Sequence, residues 1–249
     1  MSAVVADIVM PVYNEGRRIR AVLDSLKAIT YPARVFICYD SDGDDTLAAL
    51  EGYDAAPLTL MLVRNRGRGA FAAIASGLAV SDAPFVVTYP ADDDYNGGRV
   101  NALIRLALGG HDLVSASRFM PGGSMDGCPL VKAVLVRTAS WFMYHVVGVP
   151  TRDATNGLRL FSRRVIAQVP IDSREGFTYS LELLVKVHRL GWPVAETPFL
   201  WREREAGSSR FRILAWLPGY LRWVFYGLGT TALRMGPRTV ALRAQDGRP

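Results

Sequence analysis

Val4-Val-Ala-Asp-Ile-Val-Met-Pro-Val-Tyr-Asn-Glu15 is the stretch that decides the fold. Its apolar run from Val4 to Val12 closes on a polar turn, which predicts a buried strand ending at its carboxyl edge. Gly16 to Ala28 follows with Ile19, Val22, Leu23 and Leu26 at helical spacing. Further strands are predicted at Arg34–Tyr39, Leu58–Val63, Pro84–Tyr89 and Asp112–Ala116, with helices at Thr46–Leu50, Ala70–Val80 and Arg99–Leu108. This alternation predicts an α/β chain with a mostly parallel, Rossmann-like sheet. In such sheets ligands bind beyond the carboxyl ends of the strands. Four polar loops are predicted at that edge: Tyr13–Glu15, Asp40–Asp45, Arg64–Arg68 and Asp92–Asp94.

The second half is less regular. Helices are expected over Val131–Val147 and Thr178–Leu190, with a strand over Val194–Trp201. One or two amphipathic helices are expected over Phe211–Leu233, broken near Pro218-Gly219. The expected organisation is a catalytic domain over 1–210, membrane-docking helices over 211–235 and a basic tail over 236–249.

Charge supports that division. Residues 1–200 hold 20 basic and 20 acidic side chains, whereas 201–249 hold 9 arginines and 3 acids, so the net charge of +6 comes from the C-terminal segment. Arginines mixed with Phe211, Trp216, Tyr220, Trp223, Phe225 and Tyr226 suit an anionic membrane surface; a core helix or a dimer interface is the alternative. No uncharged apolar stretch reaches the roughly 18–20 residues that span a bilayer. Met1 to Met10 lacks the basic start of a signal peptide. Cys38 and Cys128 are the only cysteines, too few for a zinc site of their own or a disulfide framework. The expectation is a protein peripheral on the cytoplasmic face of a membrane. No nucleic-acid recognition motif is present.

The chemistry lies in the loops. Asp92-Asp93-Asp94 offers hard oxygen ligands for Mg²⁺ or Mn²⁺, with an acidic capping turn as the alternative. Asp40-Ser-Asp-Gly-Asp-Asp45 is no calcium loop, because Asp45 stands where that loop needs glycine. Asp40 is better suited to a base or ribose. Arg64 to Gly69 alternates arginine with small residues, as phosphate-binding loops do, without the Gly-Lys-Ser/Thr of a Walker loop. Glu182 stands among Leu181, Leu183, Leu184 and Val187, either buried and functional or exposed and paired with Lys186.

Together these segments resemble family 2 glycosyltransferases of the GT-A fold, in particular dolichyl- and polyprenyl-phosphate mannosyltransferases. The matching pieces occur in order from Ile8 to Phe211: the first strand and turn, Asp40–Thr46, Gly67-Arg-Gly69, Ser117-Arg118-Phe119, Asp153–Arg159, Gly176-Phe177 with Glu182, Glu196-Thr-Pro198, and Arg204–Arg210. Pro90 replaces the first aspartate of the usual metal motif, and Arg210 replaces the lysine that usually ends the Arg204–Arg210 element.

The resemblance implies that Pro11, Tyr13, Glu15, Asp40, Arg68 and Asp92 bind a GDP- or UDP-sugar, and that Asp92 and Asp94 hold the metal. It implies Arg118, Lys132, Arg204, Ser209 and Arg210 for the acceptor phosphate, with Arg137 competing for the place of Lys132. Catalysis then rests on Asp92, Asp94, Arg118 and Arg204. A polyprenyl phosphate acceptor is already anionic, so the reaction needs no general base and direct attack inverts the anomeric carbon. Rival readings are a transferase with a hydroxyl acceptor, a nucleotidyltransferase and a non-catalytic nucleotide-sugar scaffold. The sequence leaves room for a membrane partner subunit.

Overall fold

The computed structural model describes residues 3–202 and 213–243. In chain order these form β1 (Ala6–Pro11), α1 (Ile19–Leu26), β2 (Ala33–Tyr39), α2 (Asp45–Leu50), β3 (Thr59–Arg64), α3 (Gly69–Val80), β4 (Phe85–Thr88), α4 (Val100–Leu108), β5 (Leu113–Ser117), β6 (Ser124–Asp126), α5 (Leu130–Phe142), β7 (Arg159–Ser162), α6 (Arg163–Gln168), α7 (Thr178–Leu190), β8 (Val194–Pro198), β9 (Leu200–Arg202) and α8 (Ile213–Ala232). They fall into two compact units, the first of Met1–Gly110 and Gly157–Arg163, the second of His111–Asn156 and Arg164–Pro249.

In the first unit the strand order is β3-β2-β1-β4-β7. The first four strands are parallel, and β7 runs antiparallel to β4. Ile8, Val9 and Met10 are fully buried, as expected of a central parallel strand covered on both faces. Buried Ile19, Val22, Leu23 and Leu26 of α1 form the predicted stripe. The small residues of α3 have a packing reason. A Cβ on Gly77 would lie 2.5 Å from Val9 Cγ1 and 2.8 Å from Cys38 Sγ, so the helix lies hard against β1 and β2. At the opposite, amino edge, buried Asp7 accepts a two-point bond from Arg34 (2.7 and 2.8 Å) and a third from Ser81 Oγ (2.6 Å).

This order places a topological switch between β1 and β4. From β1 the chain winds one way through β2 and β3, then crosses back to β4. The crevice such a switch opens lies at the carboxyl ends of those two strands. Val12–Glu15 and Tyr89–Asp94 both leave from there.

The second unit holds two parallel pairs, β5 with β8 and β6 with β9. The strand predicted over Val194–Trp201 is therefore two strands. Buried Phe199 separates them, its N–H donating to Ser117 O at 2.9 Å. The α7 helix is buried along nearly its whole length, including Glu182, Lys186 and Arg189. Glu182 and Lys186 compensate each other, and Arg189 donates to Thr230 and Thr239. Lys186 Nζ donates to Glu182 Oε1 (2.6 Å), Asp172 Oδ2 (2.9 Å) and Pro170 O (2.7 Å). Glu182 accepts in turn from the backbone N–H groups of Asp172 and Ser173. Glu182 thus faces Lys186 as in a surface helix pair, but inside the core.

The break expected near Pro218 is absent, and α8 continues through it as one helix. Packing offsets the lost backbone bond: α8 lies on α7, where a Cβ on Gly219 would come within 3.1 Å of Thr178 Cγ2. The segment Met143–Val147 continues α5 as a π turn that ends at left-handed Gly148. Together Leu130–Val147 is long and apolar enough to cross a membrane by length and composition, a test that core helices also pass.

Candidate functional site

In the first unit, three of the four loops at the carboxyl edge are tied to one another, and the fourth is held by its own bonds. Asn14 N donates to Asp44 Oδ1 (3.1 Å), Glu15 N to Thr46 Oγ1 (3.0 Å) and Gly16 N to Asp45 Oδ1 (2.8 Å). Asp44 also caps α2 through Thr46 N at 2.9 Å. The second half of the acidic loop is therefore scaffold: it holds the turn after β1, in which Asn14 adopts a left-handed conformation (φ 53°). Pro11 is half-buried at the end of β1, and Tyr13 is exposed.

Asp40 holds the next pair. Its Oδ1 accepts from Asn65 Nδ2 at 2.5 Å and its Oδ2 from Gly69 N at 2.9 Å. Gly69 opens α3 at φ +81°, where a side chain would strain the backbone. Asp40 is only half-buried, so each oxygen keeps a lone pair for a ligand while it fixes the loop. Arg68 stands exposed at the N-cap of α3. Arg64 pairs with Asp42 at 3.0 Å on the surface.

The three aspartates after β4 divide their work. Asp93 is buried and accepts from Tyr95 N (3.2 Å), Asn96 N (2.9 Å) and Asn96 Nδ2 (2.8 Å), forming the turn. Burial pushes its carboxyl above the usual range, against the pull of those bonds. Tyr89 OH secures the same turn through Asp93 O at 3.1 Å. Asp92 is half-buried and Asp94 exposed, on either side of the inward residue. The capping-turn alternative falls to Asp93, which builds the turn, while Asp92 and Asp94 flank it at the carboxyl end of β4.

Two carboxylates suit Mg²⁺ or Mn²⁺ held largely by diphosphate oxygens and water, because Mg²⁺ is commonly bound through one or two carboxylates plus substrate phosphates. Among the described residues no group of three or more His, Cys, Asp or Glu is placed to hold a metal ion by itself. Pro90 leaves the turn with these two.

In the second unit, Arg118 is nearly buried. It is gripped by Asp153 through Nε–Oδ2 (2.6 Å), Nη2–Oδ1 (2.8 Å) and its own N–H to Oδ2 (3.0 Å). Thr155 Oγ1 accepts a further bond from Nη2 at 2.7 Å, and Nη1 rests on Met125 Sδ at 3.8 Å. Burial alone would raise the Asp153 carboxyl, but the Arg118 charge and the hydrogen bonds from Arg118 and Thr155 together outweigh it and hold the group below the usual range. With Nε and Nη2 engaged, Arg118 can offer a phosphate Nη1 but not a two-point fork. Lys132 Nζ lies 4.6 Å over the Trp201 ring, and Arg137 lies 5.0 Å from Phe119, which also faces Arg118 at 5.2 Å. Arg204, Ser209 and Arg210 lie outside the described residues.

The sequence reading did not single out Asp44 or, within its capping-turn alternative, Asp93 as scaffold, and it missed that role for Asp153. The signals were present for the first two, since an aspartate two residues before Thr46 or three before Asn96 is a capping or Asx-turn spacing. Asp153 had no such local signal, because its partner stands 35 positions away.

The fold is that of solved sugar-transferring enzymes. A crystal structure of glucosyl-3-phosphoglycerate synthase from Mycobacterium tuberculosis with Mn²⁺, UDP-glucose and phosphoglyceric acid superposes with a TM-score of 0.66 at 19% identity, covering 91% of this chain and 80% of that one. The same enzyme with Mg²⁺ and UDP superposes with a TM-score of 0.60. This is the GT-A type α/β fold that the motifs imply. The family model for glycosyl transferase family 2 matches residues 7–169, and the chain belongs to that family. It is similar to the dolichyl-phosphate hexose transferase of Haloferax volcanii, at 28% identity over 82% of this chain and 85% of the relative. It is also similar to the polyprenol monophosphomannose synthase of Mycolicibacterium smegmatis, at 25% identity over 82% and 79%. The chain is accordingly a family 2 glycosyltransferase, similar to enzymes named as polyprenyl-phosphate mannosyltransferases.

Proposed function

We propose that the enzyme moves a hexose, mannose in preference, from a GDP- or UDP-sugar to a polyprenyl or dolichyl phosphate at the cytoplasmic face of a membrane, with inversion. The observation that carries the reading is the β4 turn. Asp93 faces inward and holds it, while Asp92 and Asp94 stand at the switch point where a nucleotide diphosphate is expected. The names of the relatives support the lipid phosphate as acceptor.

Asp40, at the end of β2, binds the base or ribose while holding the Asn65–Gly69 loop. Pro11, Tyr13 and Glu15 line the donor side, and Arg68 faces its phosphates. Asp92 and Asp94 would hold Mg²⁺ or Mn²⁺, whose charge stabilises a departing diphosphate. Arg118, Lys132, Arg204, Ser209 and Arg210 bind the acceptor phosphate. Nη1 of Arg118 and the Lys132 ammonium act there as point charges, so a two-point grip on phosphate falls to Arg204 and Arg210. The acceptor oxygen is anionic at neutral pH, so catalysis consists of placing it behind the anomeric carbon.

The test is incubation with Mn²⁺, undecaprenyl or dolichyl phosphate and a panel of GDP- and UDP-sugars, with lipid products followed by mass spectrometry. One donor should give a glycosyl-phospho-lipid of inverted configuration. Transfer only to hydroxyl acceptors, or a retained configuration, would overturn the proposal.

A further inference from the structure

We infer that Asn65 is a positioning residue for the donor nucleotide, acting through Asp40. This rests on the donor reading above, in which Asp40 meets the base or ribose, and adds the group that aims it.

The sheet delivers the pair. Tyr39 stands opposite Arg64 in the parallel β2–β3 register, and Asn65 N donates to Tyr39 O at 2.8 Å. The next residues along, Asp40 and Asn65, therefore leave the strand ends side by side on one face. Asparagine is a poor strand former, and here it is only 8% exposed. Its place is explained by its bonds.

Both ends of its amide are used. Nδ2 donates to Asp40 Oδ1 at 2.5 Å, and Oδ1 accepts from Gly67 N, two residues on, at 2.8 Å. The partners force this orientation, because a carboxylate accepts and a backbone N–H donates. Among the described residues Asn65 is the one side chain that hydrogen-bonds Asp40; the other bond comes from the backbone of Gly69 at 2.9 Å. The loop between is seated separately, since Ser76 Oγ accepts from Arg66 N at 3.0 Å and donates to Ala72 O at 2.8 Å.

A half-buried aspartate held at one oxygen can still turn about its side-chain torsions. Held at both, it keeps one orientation. Its remaining lone pairs are then aimed before the nucleotide arrives, and binding does not have to freeze that side chain. Removing the Nδ2 donor should weaken the nucleoside end of the donor and spare its phosphate end.

Asn65→Asp isolates that donor. Shape is kept, and so is the acceptor for Gly67 N; only the group facing Asp40 changes. Two carboxyls this close disfavour double ionisation, so the introduced one keeps a proton at acid pH and donates it as the amide does. As pH rises that proton is lost and the two repel. The charged neighbours are Asp42, Asp44 and Asp45 after β2, and Arg64, Arg66 and Arg68 at the end of β3 and beyond it. Wild type and variant share them, so the quantity to follow is the ratio of their affinities at each pH.

The test is calorimetric titration of the full chain with GDP, UDP and inorganic pyrophosphate, in Mn²⁺, from pH 5.5 to pH 8.5, with thermal unfolding beside it. For the nucleotide that binds, Asn65→Asp should lie within about threefold of wild type at the acid end and about tenfold or more below it at the alkaline end. The pyrophosphate ratio should stay within about threefold throughout. Asn65→Ala introduces no charge and decides the matter if the aspartate variant does not fold. It should lose about tenfold on the nucleotide, with no pH trend in the ratio, and less on pyrophosphate. A ratio for Asn65→Asp that does not move with pH would overturn the inference. So would pyrophosphate weakened in step with the nucleotide, because a residue that merely holds the loop moves both ligands together. A wild type that binds neither nucleotide sinks the donor reading and this inference with it. Nucleotide binding that depends on Asn65 without any sugar transfer supports the inference and sinks only the assigned reaction.

Discussion

Asp153 grips Arg118 at three points, through Nε, Nη2 and the backbone N–H, at 2.6, 2.8 and 3.0 Å. The arginine that the motif assigns to the acceptor phosphate is thus also a structural member of its own unit. Removing it leaves a buried, unpaired carboxylate. Arg118→Ala is expected to lower the free energy of unfolding by about 3–5 kcal/mol, measured by urea denaturation. A loss of activity in that variant means little until stability has been measured beside it.

The same pair sets an acid limit. Asp153 is held below the usual carboxylate range, because the Arg118 charge and the hydrogen bonds to the carboxylate together outweigh the penalty of burial. Its folded-state value is therefore depressed. The stabilisation is fully present above the unfolded-state value near 3.8 and is lost as pH falls through the lower native value. Stability followed between pH 6 and pH 2 should fall off at the acid end, and the Asp153→Asn variant, weaker throughout, should show a shallower acid limb.

The three aspartates after β4 should separate in experiment. Asp92→Asn and Asp94→Asn are expected to cut metal-dependent turnover by about 10–100-fold or more while the melting temperature stays near that of wild type. Asp93→Ala should instead lower stability by about 1–3 kcal/mol, because three donors lose their acceptor. Titration of Mn²⁺ against turnover, with thermal unfolding of each variant, checks both halves.

Two adjacent glycines give a paired control on packing. A Cβ on Gly97 would lie 2.3 Å from the Ser25 carbonyl, which is backbone and cannot turn aside, whereas one on Gly98 would meet Ala28 Cβ at 3.5 Å. Gly97→Ala should destabilise by about 1–3 kcal/mol or more, and Gly98→Ala should be close to neutral. Thermal unfolding of the two variants decides it.

Lys186 is fully engaged inside the second unit, so Lys186→Met should cost about 3–5 kcal/mol by stranding Glu182. Adding Glu182→Gln should recover part of that loss, because the uncompensated charge is then removed. The coupling is read from a double-mutant cycle in denaturant.

The first unit was largely legible because its signals are local. Helix periods such as Ile19, Val22, Leu23 and Leu26 and apolar strand runs such as Ile8–Met10 need no knowledge of partners, and strands and helices fall within a few residues of where the sequence puts them. The second unit was harder to read for physical reasons. Its strands are short, Phe199 splits a run that looks continuous, and the burial of Lys186 beside Glu182 cannot be told from a surface pair at the same spacing. Pro218 signals a break that packing on α7 overrides. At the candidate site the sequence shows which loops carry carboxylates. It does not show which oxygens are already engaged, because Asp44 with Asn14 and Asp153 with Arg118 are separated by 30 and 35 positions.

The tie between Asp44 and the Asn14 amide also bears on remaking this enzyme for another donor. Because one carboxylate both starts α2 and fixes the turn after β1, the two segments form a single interchangeable part. Grafting 40–46 from a relative without 11–16 would import a loop with nothing to hold, whereas exchanging both together carries the joint intact.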